Sequence, residues 1–204
     1  MKLSNRIEAL PYSAIRKLTP YADKAKKAGK KIYHLNIGAP DVKTPELFLD
    51  AIKNLDLDVL TYAPSKGLPK IIEATSKYYK SWGMDFEPED IVVTTGGSEA
   101  LLFAILAITD EGDEILTCEP FYANYNSFSY ETGISINSFS SSVQDGFHLP
   151  NKEAIEKAIT PKTKAILLSN PCNPTVTVYH GEELRMVADI AKAHDLFILS
   201  DEVY

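Results

Sequence analysis

Short apolar segments alternate with helical segments from residue 90 onward, and this alternation constrains the fold more than any other feature of the sequence. Strands that alternate with helices are typical of βαβ units and a mainly parallel sheet. The segment KAILLSNP (164–171) holds a continuous apolar run, which indicates that helices cover both faces of the sheet. We therefore predict an α/β fold with three α/β/α layers. The predicted strands are IVVTT (91–95), DEILTCEP, ISINSF, KAILLSNP and LFILS.

The segments between these strands carry helical signals. GGSEALLFAILAI (96–108) is a glycine turn that leads into an almost wholly apolar helix, and NYNSFSYETG is a predicted helix ended by Gly133. Asn151 is placed to cap the helix KEAIEKAI. Between Glu182 and His194, apolar residues recur at i, i+3, i+4 and i+7, which is the spacing of an amphipathic helix.

The N-terminal part of the chain is less regular. Its first 45 residues are rich in lysine and read as helical to irregular. Pro45 opens a predicted helix, ELFLDAIKN, and Pro69 suits the first turn of the next one, KIIEATSKYYKSW. The five lysines between Lys24 and Lys31 fit a solvated helix end and loop better than a functional basic patch.

Composition narrows the range of partners. A formal net charge of -7 argues against a nucleic-acid binder, because phosphate contacts need clustered Lys and Arg. No apolar run approaches the roughly 18 residues that cross a membrane, and the N-terminus lacks the apolar core of a signal peptide. Cys118 and Cys172 suggest neither a disulfide framework nor a metal site, and the four histidines show no ligand spacing. We expect a reduced, cytoplasmic protein without a metal, a nucleic-acid partner or a membrane partner.

Ligands of parallel sheets bind beyond the carboxyl ends of the strands, so the residues after each strand are the candidates. IVVTT is followed by Gly96, Gly97, Ser98 and Glu99. Glycines allow close backbone approach, and free N–H groups at the start of the next helix favour an anion. A plain tight turn remains the alternative for this segment on its own.

Two other strands end in distinctive residues. DEILTCE is followed by a run of aromatic residues that includes Tyr122, which either caps the core or offers a stacking surface to a flat ligand. KAILLS is followed by Asn170-Pro171-Cys172-Asn173-Pro174. Each residue before proline is biased towards extended geometry, so this stiff segment holds an Asn side chain in one place.

The last strand, LFILS, leads into Asp201-Glu202-Val203-Tyr204. An Asp at the end of a buried strand is costly unless it meets a cation or hydrogen-bond donors, although an Asp that caps a helix remains an alternative. With a helical start, Asp201 and Tyr204 would share a face. The strand ends thus offer an anion site, an aromatic plane, a fixed amide and a carboxylate with a phenol. A flat aromatic cation with a phosphate and a phenolate, namely pyridoxal 5'-phosphate, would use them all.

The sequence resembles the fold-type I, pyridoxal-phosphate-dependent aminotransferases of classes I and II, and within them the aspartate aminotransferase group. The resemblance runs from about Ser4 to Tyr204 and is carried by LNIGAPD, YAPSKG, TTGGSEAL, EPFYANY, SNPCNPT and SDEVY, in the family's order. It implies reversible amino transfer between an amino acid, with aspartate as one candidate, and a 2-oxo acid. It also implies that residues 1–45 form an N-terminal arm and small-domain segment, and residues 46–204 part of the large cofactor-binding domain.

The resemblance implies specific roles around the cofactor ring. Asp201 would pair with the ring nitrogen and keep it protonated, so that the ring accepts electrons from the substrate. Tyr204 and Asn173 would hydrogen-bond the phenolic oxygen, and Tyr122 would stack on the ring. Asn173 and Tyr122 would also contact the substrate.

Further roles concern the phosphate and the substrate. Gly97, Ser98 and Glu99 would present donors to the phosphate at the helix start. Tyr62 would reach the phosphate of the neighbouring subunit's cofactor, which implies a homodimer. Gly38, in an arm near the mouth of the site, would contact the substrate carboxylate.

The sequence departs from the family pattern in two places. Val176 follows the NPxNPT motif where the family has glycine, and a positive φ there would strain a β-branched residue by roughly 1–2 kcal/mol. The run TVTVY alternatively favours an extended chain at this point. The family's Schiff-base lysine lies beyond the DEVY segment, so no catalytic residue is assigned within the chain. We read the chain as the N-terminal part of a longer protein, poorly stable and inactive by itself.

Three other functions remain open from the sequence. A fold-type I lyase, such as a carbon–sulfur lyase, would keep the cofactor but change the chemistry. A non-catalytic module would keep the fold without the lysine. A phosphate-binding Rossmann enzyme is disfavoured because the chain has no GxGxxG motif.

Overall fold

The structure, a computed structural model, describes residues 1–10, 16–35, 38 and 40–204. Asn36, Ile37 and Ala39 of the LNIGAPD motif lie outside the described residues. The chain divides into two compact units, of which one comprises Met1–Pro11 with Val93–Tyr204 and the other Tyr12–Val92. The domain boundary expected at residues 45 and 46 concerns the domains of the complete protein and stays a prediction.

The described residues form helices and strands that follow the expected order. The helices are α1 (Asn5–Ala9), α2 (Thr19–Lys27), α3 (Glu46–Lys53), α4 (Pro69–Ser81), α5 (Gly97–Ile108), α6 (Asn124–Thr132), α7 (Lys152–Lys157) and α8 (Gly181–Ala193). The strands are β1 (Glu114–Glu119), β2 (Ser135–Ser140), β3 (Thr163–Ser169) and β4 (Phe197–Asp201). Short 3-10 turns cover Arg16–Leu18, Pro88–Asp90 and Val143–Asp145.

The four strands form one parallel sheet in the order β2-β1-β3-β4. In register, Ile115 of β1 lies opposite Ala165 of β3, and Ser169 of β3 lies opposite Asp201 of β4. The chain therefore runs from β1 outward to β2 and then returns to place β3 on the other side of β1. The predicted parallel sheet is confirmed, and its order changes direction between β1 and β3.

Alternate residues of the central strands point to opposite faces, and each face has its own apolar cluster. Ile115 and Leu167 pack towards the helices α5 and α6, whereas Leu116 and Ile166 pack towards α7 and α8. All four side chains are fully buried. Because helices cover both faces, the three-layer α/β/α architecture is confirmed.

Helix boundaries follow the expected local chemistry. The Asn151 side-chain oxygen accepts a hydrogen bond of 3.0 Å from the Ala154 N–H and caps α7. Gly133 ends α6 in the left-handed conformation, at φ 79°, which glycine adopts without steric cost. Pro69 occupies the first turn of α4, where its missing N–H leaves no intrahelical bond unmade.

The unit Tyr12–Val92 is held together around α4. Ile72 and Ser76 are its buried residues on this helix, and the Ser76 hydroxyl donates a hydrogen bond of 2.7 Å to the Phe86 carbonyl. The rings of Tyr79 and Phe86 meet edge to face at 5.2 Å. The segment after the helix therefore folds back onto it.

The prediction of a strand over 91–95 is wrong. These residues pair with none of the described strands, and Val92 and Val93 expose 53% and 39% of their surface. A β-branched run favours extended backbone, but a strand also needs a partner for its backbone hydrogen bonds. The segment before α5 has no such partner among the described strands.

The sheet is open on the β4 side in the described part of the chain. Phe197 and Ile198 of this strand are exposed at 58% and 43%. An apolar edge of this kind favours pairing with further chain. No helix among residues 1–10, 16–35, 38 and 40–204 has the length and apolar character to cross a membrane.

Candidate active site

The strand order reverses between β1 and β3, and ligands of open α/β sheets bind at the carboxyl ends of the strands at such a reversal. The segment that begins with Pro120 leaves β1 at this edge, and the segment that begins with Asn170 leaves β3. Asp201, the last residue of β4, lies at the same edge because β4 is parallel to β3. Three of the four predicted strand-end groups therefore share one edge of the sheet.

Asp201 is a half-buried carboxylate at the end of β4. Its Oδ2 atom accepts a hydrogen bond of 2.7 Å from the Tyr125 hydroxyl, while its backbone carbonyl accepts one of 2.9 Å from the Asn170 N–H. Within the described part of the chain, it forms no ion pair and its Oδ1 atom receives no hydrogen bond. One carboxylate oxygen is thus available to a cationic or N–H-bearing ligand.

The loop after β3 is closed by its own hydrogen bonds. The Asn170 side-chain oxygen accepts from the Tyr179 N–H at 3.0 Å. The Cys172 N–H donates to the Thr177 carbonyl at 2.8 Å, and the Cys172 carbonyl accepts from the Val176 N–H at 2.7 Å. These bonds fix the loop that carries Asn173.

Val176 adopts a positive φ of 62° within this loop. The conditional expectation of a positive φ is therefore met, and the alternative that TVTVY stays extended is wrong at this residue. The Val176 side chain is 77% exposed, so no packing compensates for the backbone conformation. The hydrogen bonds of the closed loop impose the conformation instead.

The structure brings Asn173 and Tyr204 together. The Asn173 side-chain amide donates a hydrogen bond of 2.9 Å to the Tyr204 hydroxyl oxygen. Tyr204 lies beyond the end of β4, and residues 202–204 have no regular secondary structure, so the alternative of a helical start after Asp201 is not what the structure has. The amide and the phenol share a site through the loop after β3 rather than through a common helix face.

The start of α5 has the geometry of an anion site. Gly96 adopts φ 85°, and no described heavy atom lies within 4 Å of the position that a Cβ on Gly97 would take. The first N–H groups of a helix have no acceptor within the helix. The Glu99 carboxylate instead accepts a hydrogen bond of 2.6 Å from the Thr95 N–H, so Glu99 can offer a ligand only its backbone donor. Ser98, exposed in the first turn, keeps both its hydroxyl and its backbone N–H as donors.

Tyr122 belongs to an aromatic group at the end of β1. Its ring meets the Tyr125 ring edge to face at 5.6 Å and 89°. The Tyr122 hydroxyl oxygen accepts a hydrogen bond of 2.8 Å from the Asn124 side chain. Tyr125 is buried and forms part of the core, whereas Tyr122 is only half-buried, so the stacking role of Tyr122 stays a prediction.

The remaining two predicted residues, Tyr62 and Gly38, belong to the unit Tyr12–Val92. Both are exposed, and Tyr62 lies in a segment without regular secondary structure. Their roles stay predictions.

Comparison with known proteins decides the family. The sequence profile of the family described as "Aminotransferase class I and II" matches residues 30–204. The chain belongs to this family. The expected fold-type I aminotransferase architecture is thereby confirmed.

Individual relatives agree with the family profile. The chain is 34% identical to an aspartate aminotransferase of Geobacillus stearothermophilus, over 100% of this chain and 52% of that protein. A solved mutant of the Thermus thermophilus aspartate aminotransferase superposes with a TM-score of 0.93 at 34% identity, covering 100% of this chain and 54% of that one. An alanine aminotransferase from Pyrococcus furiosus superposes with a TM-score of 0.91 at 33% identity, covering 100% and 52%. The chain thus spans about half the length of the relatives it matches, and these names do not favour the lyase alternative.

One residue at this edge of the sheet is not predicted from the sequence. Tyr125 is one of the aromatic residues after β1, and the sequence pattern assigns it no role, yet its hydroxyl donates a hydrogen bond to Asp201 Oδ2. Burial, and then the hydrogen bond to Asp201, raise the pKa of the Tyr125 phenol far above its usual range, so it remains a donor at neutral pH. A signal existed in the sequence, since a tyrosine in the core needs a partner for its hydroxyl.

The histidines, which show no ligand spacing in the sequence, do form a cluster in the fold. His148, His180 and Glu183 place one ligand-type atom each within 4.8 Å of one another. The two imidazole rings, however, stack at 4.6 Å with only 16° between their planes. Ring nitrogens bind a metal in the plane of the ring, so two nearly parallel rings do not converge on one ion.

The hydrogen bonds of Glu183 give this cluster a structural role. Its carboxylate accepts hydrogen bonds of 2.7 Å from the N–H groups of Leu149 and His180, and one of 2.9 Å from the His148 ring. The interaction at His180 forms part of a capping box at the start of α8. The cluster therefore ties the segment before α7 to the start of α8.

An open groove of about 470 Å³ lies near the carboxyl ends of β1 and β2. Its lining includes Pro120, Phe121 and Ser141. None of the predicted site residues lines this groove. We assign the site to the strand-end cluster, where the carboxylate, amide and phenol are, and not to this groove.

Proposed function

We propose that the complete protein is a pyridoxal-phosphate-dependent aminotransferase that moves an amino group between an amino acid and a 2-oxo acid. Family membership and relatives named aspartate or alanine aminotransferase support this activity and make both amino acids candidate donors. The proposal includes a homodimer in the cytoplasm, acting in amino acid metabolism and biosynthesis. Buried free thiols at Cys118 and Cys172 are compatible with a reducing compartment.

The observation that carries the proposal is the meeting of Asp201 with the Asn173–Tyr204 pair at one edge of the sheet. A carboxylate without a cationic partner in the described chain fits a protonated ring nitrogen, because an unpaired charge in a half-buried place is costly. The open backbone at Gly97 fits a phosphate at the start of α5. The donor set thus matches the two ends of pyridoxal phosphate.

When bound, this cofactor supplies an aromatic ring that accepts the negative charge developing on the substrate α-carbon. Asp201 would hold the proton on the ring nitrogen through its free Oδ1 atom. Asn173 donates to Tyr204 through one amide hydrogen, which leaves its second amide hydrogen and the Tyr204 hydroxyl for the phenolic oxygen. Tyr122 would cover the ring face, and Tyr122 and Asn173 would also contact the substrate.

The phosphate end is held by donors at the start of α5. The backbone N–H groups of Gly97, Ser98 and Glu99 and the Ser98 hydroxyl provide these donors. Tyr62 is fully exposed and would contact the phosphate of the cofactor bound to the neighbouring subunit. Gly38 would contact the substrate carboxylate.

The test is an activity panel with the complete protein and pyridoxal phosphate. Aspartate, alanine and an aromatic amino acid are each supplied with 2-oxoglutarate, and the formation of glutamate is followed. Cystathionine is supplied in parallel, and the release of thiol and pyruvate is followed. We expect glutamate from at least one donor and no thiol. Thiol release without amino transfer, or no turnover with any substrate while the protein is folded, would overturn the proposal.

A further inference from the structure

Tyr125 is the one side chain that fixes the orientation of the Asp201 carboxylate in the described part of the chain. Its hydroxyl donates a hydrogen bond of 2.7 Å to Asp201 Oδ2, across 76 positions of sequence. Ser169 lies opposite Asp201 in the sheet register, and its hydroxyl donates a hydrogen bond of 3.2 Å to the Pro171 carbonyl. The titratable groups that face the Tyr125 hydroxyl are Asp201 and the Cys172 thiol.

Asp201 needs such a contact because its own position fixes only its backbone. It is the last residue of β4, and the residues after it have no regular secondary structure. Its two side-chain torsions are free to rotate unless a neighbour holds them. A carboxylate that must meet one ring nitrogen loses affinity when it samples several orientations.

Tyr125 is suited to this task because it is immobile. Its side chain is fully buried in the cluster formed with Ile105, Ile115 and Leu167. Phe121 stacks on its ring at 6.0 Å and 11°. Its backbone N–H donates to the Tyr122 carbonyl at 3.0 Å, so the residues that carry the two rings are joined directly.

We propose that Tyr125 is a positioning residue that directs Asp201 Oδ1 towards the cofactor ring nitrogen by donating a hydrogen bond to Oδ2. This inference rests on the function proposed above and deepens it. Tyr125 itself contacts neither substrate nor cofactor in this assignment. Tyr125 links the aromatic segment after β1 to the carboxylate at the end of β4. The same rigid group would therefore fix the position of Tyr122 on the face of the cofactor ring and of Asp201 beside the ring nitrogen.

The first measurement compares Tyr125→Phe with Tyr179→Phe in the complete protein. Tyr179 is a matched control because it is also a buried tyrosine, but its hydroxyl faces the thiols of Cys118 and Cys172 and not Asp201. Apoprotein is titrated with pyridoxal phosphate, and binding is followed by protein fluorescence. We expect Tyr125→Phe to raise the dissociation constant about tenfold, the effect of losing one charge-assisted hydrogen bond, and Tyr179→Phe to leave it within about twofold.

The second measurement is the pH dependence of the visible absorption of the bound cofactor. If Asp201 holds the proton on the ring nitrogen less firmly, the cofactor ring withdraws less negative charge. The absorbing group of the bound cofactor then keeps its own proton to higher pH. We expect the titration midpoint of the absorption band to move upward in Tyr125→Phe and to stay unchanged in Tyr179→Phe. A core-filling role alone would not produce this difference, since phenylalanine fills the same space.

The outcomes separate this inference from the proposed function. If wild type binds pyridoxal phosphate and Tyr125→Phe matches Tyr179→Phe in both measurements, the positioning role is wrong while the function stands. If wild type does not bind the cofactor, the proposed function fails and the positioning role fails with it. If Tyr125→Phe alone unfolds, Tyr125→Met with Asp201 intact is measured in the same two ways, and unchanged values there also refute the role.

Discussion

The side-chain amide of Asn173 donates a hydrogen bond of 2.9 Å to the hydroxyl of Tyr204, although 31 positions of sequence separate the two residues. The bond joins the closed loop after β3 to the segment that follows β4. Because both residues are partners for the same atom of the proposed cofactor, a change at either one alters the other. Asn173 and Tyr204 therefore act as a unit.

This relationship predicts non-additive effects on cofactor affinity. Asn173→Ala and Tyr204→Phe should each weaken binding, and the double variant should lose less than the sum of both, with a coupling of about 0.5–1.5 kcal/mol. The measurement is a double-mutant cycle of pyridoxal phosphate dissociation constants in the complete protein. Ser200 and Glu202 form a matched control pair, since they share a hydrogen bond of 2.7 Å at the same strand end. Additive effects for Asn173 and Tyr204 would contradict the pairing.

We predict that replacing Val176 with glycine stabilises the folded protein. Relief of the positive φ is worth about 1–2 kcal/mol, and the greater freedom of glycine in the unfolded chain offsets about 0.5–1 kcal/mol. We expect Val176→Gly to raise the free energy of unfolding by about 0.5–1 kcal/mol and to tighten cofactor binding, because the loop carries Asn173. Urea unfolding and cofactor titration of the complete protein measure the two effects.

Asp195 provides the control for this substitution. It also has a positive φ, of 55°, but Asp tolerates the left-handed region better than a β-branched residue. Asp195→Gly should therefore change stability less than Val176→Gly. If Val176→Gly alters neither stability nor cofactor affinity, the strain argument is wrong.

We predict that wild type and a Glu183 variant differ in free energy of unfolding by an amount that depends on pH. Burial alone would raise the pKa of Glu183, but hydrogen bonds from the His180 and Leu149 N–H groups and from His148 lower it below its usual value of 4.5. Since the folded pKa is lowered, the stabilisation is fully present above pH 4.5 and is lost as the pH falls through the folded pKa. In Glu183→Gln, the new amide NH2 group faces one of the backbone N–H groups, and two donors cannot hydrogen-bond to each other. We expect the substitution to lower the free energy of unfolding by about 1–3 kcal/mol at pH 7 and by less at acid pH.

Urea unfolding of wild type and Glu183→Gln at pH 7 and under acid conditions checks this prediction. Glu182→Gln is the matched control, because Glu182 is exposed in the same first turn of α8 and caps nothing. A stability difference for Glu183→Gln that stays constant with pH would show that the carboxylate charge does not contribute.

The sequence predicts the fold and the strand-end groups because both depend on local patterns. The apolar run of β3 specifies a strand covered on two faces, and the Asn-Pro segment after it specifies a fixed loop. The contact between Tyr125 and Asp201 could not be predicted in this way, because the two residues are 76 positions apart and no local sequence pattern links them. The same holds for His148 and Glu183, which the fold brings to 2.9 Å.

In the segment 91–95, a local pattern predicts a strand that the structure does not form. Its β-branched residues favour a strand locally, but pairing depends on a neighbouring strand that local pattern does not supply. At Val176 the sequence favours extended backbone, and the hydrogen bonds between Cys172, Val176 and Thr177 override that preference. Local propensity fails in both places because backbone hydrogen bonding, and not residue type, decides the conformation.

The central claim is that Asp201 partners the ring nitrogen of pyridoxal phosphate, and a titration of Asp201→Asn tests it most directly. The complete protein is titrated with pyridoxal phosphate as wild type, as Asp201→Asn and as Glu202→Gln, which removes the adjacent exposed charge. We predict stoichiometric binding to wild type and Glu202→Gln, and a dissociation constant about ten- to a hundredfold higher for Asp201→Asn. Equal affinities for Asp201→Asn and wild type would contradict the claim.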